Sequence, residues 1–442
     1  MSEKAQGASP LKLAFAEKIE RKRRQVSALK TKHGGRRLCE LEVSSLFSGM
    51  RSVPGCIHEP STVDGQAGLK LRGHTVEALL ERLPRLGSSK TPSVEGLFWL
   101  LLIGEMPGLA EVEYVAQDWR KRERVLPESV SQVLLGLSPA AHPMSLFSAA
   151  LLLLQEGAEF PRVDRKKVPK QRWWEYLFED VNNLIAAIPA LVGEIYRNRT
   201  GKPAPERESI DWAERVSLSM GMDDASFSDF LRLFFILHSD HEGGNVSTRT
   251  CKLVGSALSD PYLAYSAALN GLAGPLHGLA AQEALDWMVE TGERVGTDAS
   301  EDELRRHVSG IVESGGVVPG YGHAVLRITD PRFVIQQRFA EEHFGDNKMF
   351  LFASRLHRIV PSVLSGFPKI QNPNPNIDAM TGVLLTCFGI TDTSYYTVLF
   401  GAGRSIGALS GYLWDRAYCL PIERPKSYTV DMLEELFEGV DL

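Results

Sequence analysis

The chain is predicted to be mainly α-helical, with a small β-hairpin region near its N-terminus. Two observations carry that expectation. From Val76 onward apolar residues recur almost everywhere at helical spacing, and strand-like alternation is confined to short pieces within residues 48–75. A length of 442 residues allows two or three domains with a large core, and 43% hydrophobic and 24% charged residues suit a soluble globular protein. The net charge of −6 argues against a nucleic-acid partner, which would need a basic face, so any anion site must be built from a few local arginines. Cys39, Cys56, Cys251, Cys387 and Cys419 are scattered without a C-x-x-C, which suits thiols in a reducing compartment. The apolar runs Leu97–Ile103 and Ala149–Leu154 are too short to span a bilayer. The first ten residues show no targeting character, which as it stands reads as cytoplasmic.

Taken in order, Leu11, Phe15, Ile19, Val26 and Leu29 lie on one face of an amphipathic helix whose Lys18, Arg21, Lys22, Arg23 and Arg24 read as a solvated face. Cys56–Val63 and Leu69–Leu71 suit a hairpin, and Arg51 stands in the glycine-bearing stretch before it. Thr91-Pro-Ser-Val-Glu95 opens a helix with an acid in its first turn, and Met106-Pro107 is expected to stop it. Pro143 opens another, ending near Gly157. Residues 161–172 form a basic, proline-punctuated loop, either a linker or a phosphate contact. Trp173 begins a helix with Pro189 inside it, and Phe227–Leu237 is apolar enough to be buried on most sides. Helical periodicity returns after Gly278, at 301–311, 333–344, 349–363, 381–385 and 395–417.

The chemistry-bearing stretches lie between these helices. In Val317–Arg332, Gly320 and Gly322 flank Tyr321, so the backbone can turn and approach a flat ligand. His323 follows, with Arg327 on the same face if the segment is helical, and Pro331 turns Arg332 in a new direction. In residues 237–245, His238 and His241 lie beside Asp240 and Glu242, which suits either a metal site or a helix end capped by Gly243-Gly244. Pro275 suits a helix start, so His277 lies near a helix N-terminus. There it is either a structural histidine or a neutral donor to a developing oxyanion. Asp378, after a run of Asn and Pro, is either an N-cap or a general base. Arg404 and Arg424 stand beside small or ring-constrained residues, as solvated cations or as fixed clamps for a carboxylate.

His-Ser-Asp-His-Glu-Gly-Gly-Asn-Val-Ser, Asn-Gly-Leu-Ala-Gly-Pro-Leu-His-Gly, Val-Val-Pro-Gly-Tyr-Gly-His-Ala-Val-Leu-Arg and Glu-Arg-Pro-Lys-Ser, in this order, resemble the eukaryotic-type citrate synthases. Asp260-Pro-Tyr and Tyr395-Tyr-Thr-Val-Leu-Phe add to a resemblance that runs from about Leu11 to about Leu436. It implies a two-domain helical homodimer with a large domain (1–278 and 390–442), a small domain (279–389) and a cleft between them. It also implies condensation of acetyl-CoA with oxaloacetate and hydrolysis of citryl-CoA, with no cofactor, metal, nucleic acid or membrane involved. By the same resemblance His277, His323 and Asp378 are catalytic. His241, Arg332, Arg404 and the partner's copy of Arg424 hold oxaloacetate. Arg51, Arg327, the partner's copy of Arg162 and the Val317, Val318, Gly320 and Tyr321 turn meet CoA. A mitochondrial matrix location follows if a presequence has been removed. Ala379-Met-Thr-Gly382 departs from the family's Ala-His-Ser-Gly, and Gly401-Ala-Gly403 from its Gly-Val-Ser. These departures keep open a 2-methylcitrate synthase acting on propionyl-CoA. A non-catalytic structural subunit, and a metal hydrolase built on His238 and His241, are the readings from other classes.

Overall fold

The computed structural model describes residues 9–437 apart from Ser52, Arg124, Val125, Ser138 and Pro139. It is 63% helical, with one three-stranded sheet. Ser9 caps α1 (Pro10–His33) by accepting from the Lys12 amide, and Pro10 occupies the first helical position, where its missing N–H costs nothing. Leu11, Phe15 and Ile19 bury the inner face, with Phe15 edge-on to Trp174 and Trp414. The basic face is not left to solvent as expected. Lys12 pairs with Glu179, Lys18 and Arg21 with Glu105, and Lys22 with Glu59. At roughly 0–1 kcal/mol for each exposed pair, these contacts orient α1 more than they stabilise it.

After the short α2 (Val43–Phe47), β1 (Ser61–Asp64) pairs antiparallel with β2 (Gly68–Leu71), Ser61 opposite Leu71, and β3 (His74–Thr75) joins β2. The first strand begins at Ser61 and not at Cys56, because the preceding segment is bonded elsewhere. Ile57 accepts from Lys252, and His58 bonds Asp240. α3 (Val76–Arg82) leads to α4 (Val94–Ile103), which is buried throughout. Gly104, in the left-handed conformation, ends α4 before Met106-Pro107 is reached. Glu95 is no exposed dipole partner. It is buried and accepts from the Trp212 amide at 2.8 Å.

α5 (Leu109–Arg122), α6 (Glu128–Gly136) and α7 (Pro143–Leu153) follow, then 3-10 turns at Leu154–Gly157, Phe160–Arg162 and Lys170–Arg172. α8 (Trp173–Thr200), with Pro189 inside, α9 (Trp212–Ser219), α10 (Ala225–His238), α11 (Val246–Ser256) and α12 (Pro261–Leu272) complete this part. Aspartates start three of these helices: Asp211, Asp224 and Asp260 each accept from the amides of the first turn.

α13 (Ala280–Val295), α14 (Glu301–Glu313), α15 (Pro331–Phe344), α16 (Lys348–Leu364) and α17 (Asp378–Cys387) pack mainly on one another. α13, α15 and α16 lie on α17, and α14 lies on α16. α18 (Tyr396–Ala417) is buried along nearly its whole length and returns to α4, α8, α10, α11 and α12. α19 (Val430–Phe437) has no buried residue.

Candidate functional site

The Gly-Tyr-Gly-His turn is held by the Asn-Pro loop before α17. Asn376 N–H donates to the Gly320 carbonyl, Gly322 N–H to Asn374, and the Asn376 side chain to the Gly322 carbonyl. The Asn376 side-chain oxygen accepts from the Asp378 amide, so one residue couples the turn to the start of α17. Gly320 has φ +83°, and a Cβ there would stand 3.0 Å from the Cα of Ala379. Glycine at this position therefore permits a close approach of the turn to α17.

The segment after the turn is not helical, so Arg327 does not share a helix face with His323. His323 Nδ1 accepts from the amides of Val325 and Leu326 at 3.0 and 2.9 Å, which bends the chain around the imidazole. Nδ1 is thereby bare, and Nε2 carries the proton of the neutral ring. Asp330 caps α15 through the Arg332 amide and holds the Arg332 guanidinium through Nε and Nη2. Arg332 thus leaves along a new helix, as its position after Pro331 implied.

α10 ends at His238 with Ser239 in the right-handed region, so Gly243-Gly244 does not cap it. Those glycines instead lead to Asn245, which caps α11 through the Thr248 amide. Asn245 Oδ1 also accepts from Arg404 Nη1 at 2.9 Å, and Arg404 Nε donates to the His238 carbonyl. Arg404 is 1% exposed, lies over the Phe400 ring at 4.9 Å, and is paired with no carboxylate among the described residues. Burial pulls it down to about 10, so it remains a cation at neutral pH.

Pro275 lies in a turn and α13 begins only at Ala280, so His277 precedes the helix. Its Nε2 accepts from the Ser247 amide at 3.2 Å and lies 2.9 Å from the Ser247 hydroxyl, which leaves the proton on Nδ1. Burial, with help from Arg404, lowers His277 to about 3. Burial and Arg332 lower His323 to about 4. Both rings are neutral hydrogen-bond donors at physiological pH.

These groups share one space. The rings of His241 and His323 are 5.3 Å apart, His277 and Arg404 both lie against Phe400, and the charges of Arg332 and Arg404 act on Asp378. His241 Nε2 is buried without a hydrogen-bond partner among the described residues. Asp378 is the first residue of α17 and not its N-cap, which is Ile377. Burial raises its carboxyl to about 6 against the pull of Arg332. Asn245, Ser247, Asp330 and Asn376 were not singled out from the sequence as site residues. Their signal was polar side chains beside glycine and proline within the quoted motifs.

Other expected residues stay apart. Arg51, Arg162 and Arg424 are exposed, with no hydrogen bond or ion pair to this cluster among the described residues. Glu423 pairs with Arg249 at 2.6 Å, not with Arg424. Val317 is exposed, Val318 is buried, and the Tyr321 hydroxyl bonds His357. Arg327 folds back over the Val325 and Leu326 carbonyls. Among the described residues no group of three or more His, Cys, Asp or Glu is placed to hold a metal, and His238 is bonded to the Phe234 carbonyl.

The family model for the citrate synthase C-terminal domain matches residues 49–426. The chain belongs to the citrate synthase family. It is 42% identical over 433 residues to a probable mitochondrial citrate synthase of Glossina morsitans morsitans, covering 97% of this chain and 93% of that one. It is 43% identical over 426 residues to the mitochondrial citrate synthase 4 of Arabidopsis thaliana, covering 96% and 90%. A ternary complex of carboxymethyl coenzyme A and oxaloacetate with citrate synthase from Thermoplasma acidophilum shares the fold. Its TM-score is 0.73 at 23% identity, over 88% of this chain and 97% of that one. As a citrate (Si)-synthase the enzyme condenses acetyl-CoA with oxaloacetate and hydrolyses citryl-CoA to citrate and CoA, the entry step of the tricarboxylic acid cycle.

Proposed function

We propose that Asp378 removes a methyl proton from acetyl-CoA while His277 Nδ1–H donates to the enol or enolate oxygen that forms. His323 Nε2–H polarises the keto carbonyl of oxaloacetate, which the nucleophilic carbon attacks. Water then cleaves the thioester of citryl-CoA. One observation carries the assignment. The buried Asp378 carboxyl is raised to about 6 beside Arg332 and Arg404, and the two neutral imidazoles each have one nitrogen occupied, His277 Nε2 by the Ser247 amide and His323 Nδ1 by the Val325 and Leu326 amides, which leaves the other to donate. Preorganised donors of this kind supply on the order of 3–4 kcal/mol each to a developing oxyanion.

Arg332, Arg404 and His241 hold the carboxylates of oxaloacetate, and Arg424 of a second subunit completes the clamp. The burial of Arg404 without a directly paired carboxylate, and of His241 Nε2 without a partner, among the described residues supports this reading. Arg51, Arg327 and a partner's copy of Arg162 meet the phosphates of CoA, with the Val317–Tyr321 turn at its adenine. Residues 279–389 act as a small domain that closes on the rest and excludes water during condensation. A homodimer is supported by apolar residues left exposed on one chain, among them Phe47, Leu135, Val430 and Leu436. The mitochondrial names of the relatives favour the matrix as the compartment.

The test is thiol release from acetyl-CoA and from propionyl-CoA in the presence of oxaloacetate. Acetyl-CoA is expected to be turned over with the higher kcat/KM. Preference for propionyl-CoA would replace this reading with a 2-methylcitrate synthase.

A further inference from the structure

Asp240 stands directly before His241 and contributes nothing to the chemistry above, yet its carboxylate is bonded by three side chains from three different parts of the chain. It is 0% exposed. It accepts from His58 Nε2 at 2.6 Å, from the Ser61 hydroxyl at 2.7 Å and from the Thr248 hydroxyl at 3.2 Å. Those donors come from the segment before the hairpin, from the first residue of β1 and from α11. The Ser61 oxygen in turn accepts from the Glu242 amide, on the far side of His241. The turn carrying His241 is therefore clamped from both sides by one residue of β1.

The packing is built around this pair. A Cβ on Gly407 would stand 2.4 Å from the Asp240 Cβ. One on Gly411 would stand 2.9 Å from the His58 ring, and one on Gly243 would stand 2.8 Å from the His58 Cβ. Gly407 and Gly411 are one turn apart on α18, the helix that bears Arg404, and Gly407 N–H donates to the Ser239 carbonyl. Any side chain at these glycines would push the pair off α18. The charge is arranged to match. Burial alone would raise Asp240, but His58, Arg404 and Ser61 together hold it down to about 2, so it is ionised at neutral pH. Arg404 feels that charge without bonding to it, and spends its own donors on the His238 carbonyl and on Asn245 and Ser247.

We propose that Asp240, held by His58 and Ser61, is the positioning residue for the keto-acid end of the site: it sets the His241 turn and balances the charge of Arg404 without occupying it. His58 is the second positioning residue, acting through Asp240. The inference rests on the reading that His241 and Arg404 hold oxaloacetate. Asp240 and His58 act through His241 and Arg404, so their effect falls on oxaloacetate.

The experiment measures KM for oxaloacetate, KM for acetyl-CoA, kcat and Tm in Asp240→Asn, His58→Ala, His58→Gln and Arg404→Ala. Asp240→Asn is expected to raise KM for oxaloacetate by roughly 10- to 150-fold, the range for a buried hydrogen bond to a charged group, with KM for acetyl-CoA within about twofold. His58→Ala should move the same constant in the same direction. His58→Gln, whose amide can still donate to Asp240, should restore it. Should Asp240→Asn fail to fold, the two His58 variants carry the test by themselves. A lowered Tm with both KM values unchanged, or equal shifts in both, overturns the inference and leaves Asp240 a purely structural residue. If Arg404→Ala also leaves KM for oxaloacetate unchanged, the underlying site assignment fails with it. If only Arg404→Ala raises it, that assignment stands and the inference about Asp240 alone is wrong.

Discussion

Replacing Asp378 with asparagine removes the proposed base and keeps its shape. With a carboxyl at about 6, roughly nine-tenths of the wild-type enzyme carries the base form at pH 7, and roughly a tenth at pH 5. No neighbour can replace it. Asp330 is committed to the Arg332 guanidinium at 2.7 Å, and Asp240 to His58, Ser61 and Thr248. The loss should be that of a positioned acid–base group, roughly 10²–10⁴-fold in kcat, or about 3–5 kcal/mol of barrier. Wild-type kcat/KM should fall on the acid side with a limb near 6, and the residual activity of the variant should lack that limb. Stability moves the other way. A carboxyl raised from 3.8 to about 6 binds its proton more tightly in the folded state, so its contribution is present below 3.8 and is lost as pH rises through 6. The asparagine variant should therefore be at least as stable as wild type at pH 8. The assay is thiol release with acetyl-CoA and oxaloacetate, alongside thermal melts at pH 5 and 8. A folded variant within a few-fold of wild type at pH 7 would refute the assignment of Asp378 as the base.

Arg332→Ala should raise KM for oxaloacetate far more than KM for acetyl-CoA, and Arg327→Ala should do the reverse; steady-state kinetics with equal effects on both substrates would undo the division of roles along that segment. Arg424→Ala and Asp378→Asn homodimers should each be nearly inactive, whereas purified heterodimers of the two should recover up to about half of wild-type activity per dimer, since one cleft regains every group. Heterodimers as inactive as the parents would place Arg424 outside the partner's site. Glu95, away from the cleft, is raised from its ordinary 4.5 to about 8 by burial and by Asp211. Its contribution to stability is lost as pH climbs through 8, so melts between pH 7 and 9 should show wild type falling more steeply than Glu95→Gln.

How much of this was legible beforehand follows the range of the forces involved. The helix start at Pro143 and the change of direction at Pro331 were readable because capping and proline act within one turn of chain. Wrong expectations arose where another partner, near or far in sequence, claimed the groups that the expected element needed. Cys56–Glu59 alternates like a strand, but His58 is claimed by Asp240 and Ile57 by Lys252. The 323–327 segment has helical spacing, but Val325 and Leu326 give their amides to His323 instead.

The sequence by itself determined the helical class, the small hairpin and the motifs that hold His277, His323, Asp378, Arg332 and Arg404. Only the tertiary structure decided what state those groups are in. The proton on His277 is set by Ser247 on α11, and the one on His323 by the amides of Val325 and Leu326 in a bend that replaces the expected helix. The poise of Asp378 is set by burial against Arg332, and the open edge of Arg404 by a charge on Asp240 that sits near it without bonding it. Periodicity and capping are properties of neighbouring residues. Desolvation and charge balance depend on groups far apart in the chain, and they exist only once the chain has folded.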